Sequence, residues 1–301
     1  MTTRPDVLAS DDGLPARDSG PWSRTKLKFI DDFLPAALTV THRFRQRHVI
    51  DLFAGPGKNV DRETKNVFDG SPLRALRAKS TMTPPRGFTH ATFVTHTLSH
   101  QSALKSRVDA LYAGERILVP RSGIAMPCGR AADLVQGIMD TIPQRAYVFA
   151  FADIENPSHW PWTAVATLKR GHDSVDFYML FPIDMGLVRL ASYRKPDRDR
   201  WRDILTRFFG CDDWDEISDR LRTTDGQAPA FRRALVDLYL DRLRTLWPHA
   251  ESVLGVVRVG DQTLYEMLFA SKEPVAKEIV ASIKREMRVE QRSGQLDLKL
   301  D

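Results

Sequence analysis

Cysteine is scarce in this chain. There are two, Cys128 and Cys211, far apart and without a C-x-x-C spacing. That excludes a disulfide framework and a clustered-thiolate metal site, and two distant thiols are expected to stay reduced, as in the cytoplasm. No apolar run is long enough to cross a bilayer, so no membrane partner is expected. The first twenty residues, MTTRPDVLASDDGLPARDSG, lack the apolar stretch of a secretory signal. Internal repeats and low-complexity runs are also missing. Strong charge of one sign is missing too: 44 Lys and Arg against 39 Asp and Glu leave a formal charge of +5. That excess permits a nucleic-acid partner without requiring one. What is there is ordinary: 42% hydrophobic and 28% charged residues, in 301 residues. Such a chain can form one large globular domain with an insertion, or two modest ones.

Residues 1–20 read as a disordered tail, polar and punctuated by Pro and Gly. From Trp22 the pattern changes. WSRTKLKFIDDFLPAAL places Leu27, Ile30, Phe33 and Leu34 at helical spacing, with Ser23 as an N-cap. RQRHVIDLFAGPG then reads as an apolar strand running into a glycine turn. HATFVTH, AYVFAFADI and VDFYMLFPI are further strands. ERILVP is a weaker one, with GIAMPC competing for the same place. SPLRALRAK, SHQSALKSRVDALY, AADLVQGIMDTI and WTAVATLKR read as the helices between them. The alternation predicts a parallel, doubly wound sheet. ESVLGVVRV and TLYEMLFAS are separated only by Gly260-Asp261-Gln262, a hairpin too tight for a crossover helix. Residues 185–250 are helical in character, far longer than a usual connection.

The expectation is therefore an α/β protein with a Rossmann-like seven-stranded mixed sheet, of the class I methyltransferase type by analogy. It divides into a core over 21–184, a helical insertion over 185–250 that covers the site or presents a partner surface, and a terminal β-hairpin and helix over 251–301.

The sharpest motif is Asp51-Leu52-Phe53-Ala54-Gly55-Pro56-Gly57, at the carboxyl end of the first core strand, where open α/β sheets bind ligands. Its glycines allow tight turning and close backbone approach. It is not a P-loop, because Lys58 lacks both the upstream glycine and the following Ser or Thr. It is not the three-glycine dinucleotide fingerprint, because Val60 stands at the third position. The plainer reading is a strand-to-loop turn. Downstream, Gly70-Ser71-Pro72 opens a helix, with Ser71 as N-cap and Pro72 at the first helical position. That helix start either merely caps or faces the same crevice and holds an anionic group.

WSRTKLKFIDDFL, VIDLFAGPGK, DGSPLRAL, PWTAVATL and the terminal LYEMLFASKEPVAKEIV together resemble the three-Cys-motif partner (TcmP) proteins, over about residues 22–285. The resemblance implies a class I methyltransferase fold with helical additions, S-adenosylmethionine as cofactor, an acceptor that the sequence does not name, and a partner protein carrying a three-cysteine motif. It implies Asp51, Phe53, Ala54, Gly55, Gly57, Ser71 and Thr95 as cofactor contacts. Asp153 and Glu155 would orient or deprotonate the acceptor. The alternative function is a catalytically inactive, methyltransferase-like module that binds that partner or nucleic acid.

The chain departs from the pattern in several places. The second strand ends Phe93-Val94-Thr95-His96, with no acid for the cofactor ribose. Pro127-Cys128-Gly129-Arg130 stands where Gly-Asp is usual. Asp153-Ile154-Glu155-Asn156-Pro157 replaces Asp-Pro-aromatic-Gly. Asn156-Pro157-Ser158-His159-Trp160 only partly matches the Asn-Pro-Pro-aromatic loop of amino-methyltransferases, and otherwise reads as an ordinary loop that caps a helix. His96 and His100 share an i, i+4 spacing but have no third ligand, so no metal is expected. Weak or lost binding of S-adenosylmethionine by the isolated chain follows from the missing acids.

Overall fold

The structure is a computed structural model. It describes residues 10–20, 22–183, 187, 199–221, 228–258 and 262–292. In chain order the elements are β1 (Arg17–Ser19), α1 (Trp22–Val40), β2 (Arg47–Asp51), β3 (Lys58–Asp61), β4 (Val67–Asp69), α2 (Ser71–Arg77), β5 (His90–Phe93), α3 (Leu98–Gly114), β6 (Ile124–Ala125) and α4 (Ala131–Asp140). There follow β7 (Tyr147–Asp153), α5 (Trp162–Lys169), β8 (Ser174–Phe181), α6 (Arg202–Phe209), α7 (Asp213–Leu221), α8 (Ala228–Arg244), β9 (His249–Arg258), β10 (Gln262–Ser271) and α9 (Pro274–Arg292).

Seven strands form one sheet in the order β6-β5-β2-β7-β8-β10-β9. The first five are mutually parallel, and β10 runs antiparallel to both its neighbours. This is the Rossmann-like mixed sheet of the class I methyltransferase type, with the helical insertion α6–α8 ahead of the terminal strand pair. Gln262 pairs with Arg258, so the link is a short hairpin. Its turn at Gly260-Asp261 lies outside the described residues.

Both faces of this sheet are covered, which explains the unbroken apolar runs. In β7, Val148, Ala150 and Ala152 point into a core shared with α4, α5 and the insertion helices. The alternate residues Tyr147, Phe149 and Phe151 point into a second core with α1, α2, α3 and α9. The expected apolar stripe of α1 is buried throughout: Leu27, Ile30, Phe33 and Leu34 are at most 2% exposed. Each such buried side chain contributes roughly 1.5–3 kcal/mol relative to exposure.

Three local expectations are corrected. Against the expectation of a disordered tail over 1–20, residues 10–20 are ordered, and residues 1–9 lie outside the described residues. β1 pairs in parallel with β3, and Ser19 Oγ lies 3.0 Å from Asn59 Oδ1. The segment KNVDRETKNVFD, which in the sequence reads as a wandering stretch between the glycine turn and Gly70-Ser71-Pro72, is a β3–β4 hairpin in this small second sheet. The Asp61 carboxylate accepts from the N–H groups of Glu63 and Thr64 and closes its turn. Finally, GIAMPC and not ERILVP supplies the edge strand, because Ile124 and Ala125 pair with Ala91 and Thr92. Val119 is instead buried in the second core, and its carbonyl accepts from Tyr112 Oη at 2.5 Å.

Thr97 is the N-cap of α3 and accepts from the His100 N–H, so His96 lies outside the helix and the two imidazoles do not share a helical face. No group of three His, Cys, Asp or Glu stands in metal-ligand proximity among the described residues. No described helix is long and apolar enough to cross a membrane.

Candidate functional site

The site is built from the end of β2. Asp51 is buried, and its carboxylate accepts from the Phe53 N–H at 3.1 Å and from Ser71 Oγ at 2.5 Å. Burial pushes its pKa up to about 6, against the opposing pull of those two hydrogen bonds. The side chain therefore folds the turn and ties it to the start of α2. Ser71 is the first helical residue and not the N-cap. That place is taken by Gly70, which makes no side-chain cap.

Gly55 and Gly57 both adopt the left-handed region, at φ 59° and 91°. At Gly57 geometry and space agree, since an added methyl group would sit 2.8 Å from Leu104 Cδ1. The Gly57 carbonyl accepts from the Gly70 N–H at 2.8 Å, which completes the link between turn and helix. Gly57→Ala is expected to destabilise the fold by about 2 kcal/mol, combining left-handed strain with displacement of a buried leucine. Urea denaturation measures it. A loss under ~0.5 kcal/mol, the scale of an ordinary surface change, would show that the turn relaxes freely.

Three sequence-predicted elements do meet in one crevice. Phe53, Ala54, Gly57, Gly70, Ser71 and Asp153 line it, at the carboxyl ends of β2 and β7. Sequence reading missed its remaining polar groups. Arg17 of β1, Lys26 of α1, and Lys58 and Asn59 of β3 also line it. Asp153, the expected catalytic acid, is buried and taken. Arg17 Nη1 donates to its Oδ2 at 3.0 Å, and Lys26 Nζ donates to the same oxygen. Burial alone would raise the Asp153 pKa, but Lys26 and then Arg17 outweigh it and hold it below the usual range. A carboxylate held this way is a poor proton acceptor. The Arg17 guanidinium also lies over the turn, close enough that a methyl group on Gly55 would touch its Nε at 3.5 Å.

The other expected residues are placed differently. Gly55 shapes the turn beneath Arg17, and Asp51 supports it from below. Glu155 is exposed, and its ion pair among the described residues is with Arg17, at 3.9 Å. Thr95 is fully buried. It forms a backbone bridge with Cys128, and its Oγ1 has no hydrogen-bond partner among the described residues. It does not reach the crevice. The Asn156 side-chain oxygen accepts from the Ser158 N–H and Oγ, which is the capping role. Trp160 is fully buried edge-on to Phe53 and offers no stacking face.

S-adenosylmethionine, which the fold type implies, fits this crevice only in part. Lys26 and the bare glycine backbone suit the carboxylate of its amino-acid end. Its adenosine half finds no ribose acid, with Thr95 turned inside. The cavity volume of the crevice is only about 10 Å³, whereas small-molecule pockets run to roughly 300–1,000 Å³. The guanidinium of Arg17 would also face a sulfonium of the same sign. In the state described, the residues do not fit the whole cofactor.

No family model matches the chain, and no curated protein matches it. Among solved structures, an O-methyltransferase from Bacillus cereus in complex with SAH aligns at TM-score 0.38 and 14% identity, over 81% of each chain. A protein from Legionella pneumophila aligns at TM-score 0.43 and 9% identity, over 85% of this chain and 91% of that one. A geranyl diphosphate methyltransferase in complex with SAM aligns at TM-score 0.34 and 10% identity, over 83% of this chain and 85% of that one. Likenesses this distant carry no functional argument, and the fold rests on the strand order itself.

Proposed function

We propose that this chain is a methyltransferase-type protein of the three-Cys-motif partner (TcmP) kind. Its ligand is S-adenosylmethionine, taken at the Gly55–Gly57 crevice weakly or not at all by the isolated chain. Its three-cysteine-motif partner completes the site. The observation that carries this reading is the pairing of Arg17 and Lys26 with Asp153 inside the crevice. The turn, the start of α2 and the end of β7 converge as a cofactor cleft requires, yet two cations of the chain itself close it. A partner that draws Arg17 away would widen the cleft and remove the like charge in one movement.

A second reading has its own support. The inward Thr95 and the buried Trp160 leave neither a ribose ligand nor a stacking platform, as in an inactive module that binds the partner or nucleic acid. The residues present do not hold the whole cofactor, so no methyl-transfer step follows from them.

Calorimetric titration with S-adenosylmethionine and with S-adenosylhomocysteine separates the two. A missing ribose acid forfeits charge-assisted hydrogen bonds of ~1.5–3 kcal/mol each, and each ~1.4 kcal/mol is a factor of ten. The intact chain is expected to bind S-adenosylmethionine more weakly than about 100 μM, a free energy near −5.5 kcal/mol. S-adenosylhomocysteine, whose sulfur carries no charge, should bind better. Arg17→Ala should improve both by about tenfold, a ~1.4 kcal/mol effect. Low-micromolar binding by the unmodified chain would overturn the partner requirement. No binding by either protein would favour the inactive module.

A further inference from the structure

We propose that the edge of the central sheet opposite the crevice is a docking face for the phosphate backbone of a nucleic acid, formed by Arg43, Arg45, Lys79, Arg86 and Arg145. In a parallel sheet the connections that enter strands gather at the edge away from the carboxyl ends. Residues 41–46, 78–89 and 141–146 lead into β2, β5 and β7, which are neighbours in the order β5-β2-β7. These three segments contain four arginines, one lysine, and no aspartate or glutamate. All five cations are exposed, and among the described residues none has an acidic partner. The acids that flank these loops lie on the adjoining segments: Glu115 pairs with Arg77, Asp140 accepts from Gln136, and Asp173, just ahead of β8, lies 3.9 Å from Lys272. A chain carrying 39 acids in total has left this one face without any in its three central loops.

The face is also held together from within. Arg47 is buried and donates to the Gly87 carbonyl at 3.0 Å and to the Phe44 carbonyl at 2.6 Å, which fastens the first two loops side by side. Its pKa is lowered, first by burial and then by the charge of Arg86, so Arg86 is close. The Arg86 N–H and carbonyl both bond back to Ser80, which closes the 80–86 loop. The Tyr147 N–H donates to the Gln46 carbonyl and joins the third loop. The loop backbones therefore need little ordering on binding, which favours affinity.

Cations spread over three adjacent loops suit a linear polyanion better than a single small anion. Guanidinium groups, four of the five, match phosphate oxygens in a fork geometry. An anionic membrane would need apolar anchors as well, and Val40 is the exposed large hydrophobic beside these segments. The seven residues of β7 put the face about 23 Å from the crevice, at ~3.3 Å per residue. It therefore docks nucleic acid away from the cleft, and the inference stands whether or not a methyl group is transferred there.

The test is fluorescence anisotropy of the full chain with a labelled 20-nucleotide RNA and a 20-base-pair DNA duplex, in 50 mM salt. Binding is expected, weakening steeply with added salt. The triple variant Arg43→Glu, Arg45→Glu, Arg86→Glu should bind at least thirtyfold more weakly. Its salt slope on the duplex should be smaller by ~0.9 for each phosphate that the variant no longer neutralises. Arg145→Glu, on a separate loop, should weaken binding about threefold, and its melting temperature should match that of the parent. Three results would each overturn the proposal: no binding at 50 mM salt, binding by both variants equal to that of the parent, or capture by phosphatidylserine vesicles with no binding of either oligonucleotide.

Discussion

Asp153→Ala is expected to lower the unfolding free energy by about 3–5 kcal/mol at pH 7, the scale for breaking a buried ion pair. The carboxylate lies between Lys26 and Arg17, with its side chain and that of Lys26 each only 10% exposed. Its removal leaves two cations facing each other in a confined crevice with nothing between them. Asp153→Asn keeps an acceptor but no charge and should fall between the two. The pH dependence has a definite sign. The folded-state pKa is held below the ordinary aspartate value of 3.8. The stabilisation is thus present above that value and lost as the pH falls through the lower folded one. The gap between parent and Asp153→Ala, read by urea denaturation, should therefore be flat above pH 5 and close in acid. A cost below ~1 kcal/mol at pH 7, the level of an exposed pair, would mean that the contact is incidental and would return Asp153 to the role of an available acid.

Arg107→Ala is the second large effect, again about 3–5 kcal/mol. This α3 side chain is 3% exposed and spends all its donors on the N-terminal segment and the glycine turn. It meets the Asp12 carboxylate through Nε and Nη2, the carbonyls of Leu14 and Pro15, and the Pro56 carbonyl at 2.7 Å. Asp12 has its pKa lowered, first by the Arg107 hydrogen bond, so this clasp too holds at neutral pH and loosens in acid. Arg107→Lys should recover only part of the loss, because one ammonium cannot reach five acceptors. The distinguishing readout is local. Trypsin should cut after Arg17 much faster in Arg107→Ala than in the parent, because the segment opens without global unfolding. Equal cleavage rates would show that other contacts, such as the β1–β3 pairing, hold residues 10–20 on their own.

These two effects mark where sequence reading stops. The seven-stranded mixed sheet was legible because its signals are local: apolar runs long enough to be covered on both faces, and a connection too short to hold a crossover helix. The glycine turn was legible for the same reason, since positive φ at Gly55 and Gly57 is a property of the residue type. Asp153 was found because it ends a strong strand beside that turn. Arg17 and Lys26 were not found. Arg17 sits in a polar tripeptide, Arg17-Asp18-Ser19, with no strand propensity, and it becomes a strand only because β3 offers an edge to pair with. Lys26 looks like any solvated lysine of an amphipathic helix until α1 packs over the crevice. Thr95 could be assigned to the second strand's end from its position, but not to the inside of the protein.

The amino-acid order by itself determined the fold class, the turn and the absence of a ribose acid, because each depends on residue type and spacing within a few positions. Only the tertiary structure decided that Arg17 and Lys26 close the crevice and that Asp153 is an ion-pair centre and not a free base. Both depend on residues 127 and 136 positions apart being brought within a few ångströms, and electrostatic interactions of that kind take their sign and size from burial and distance, which no local pattern encodes.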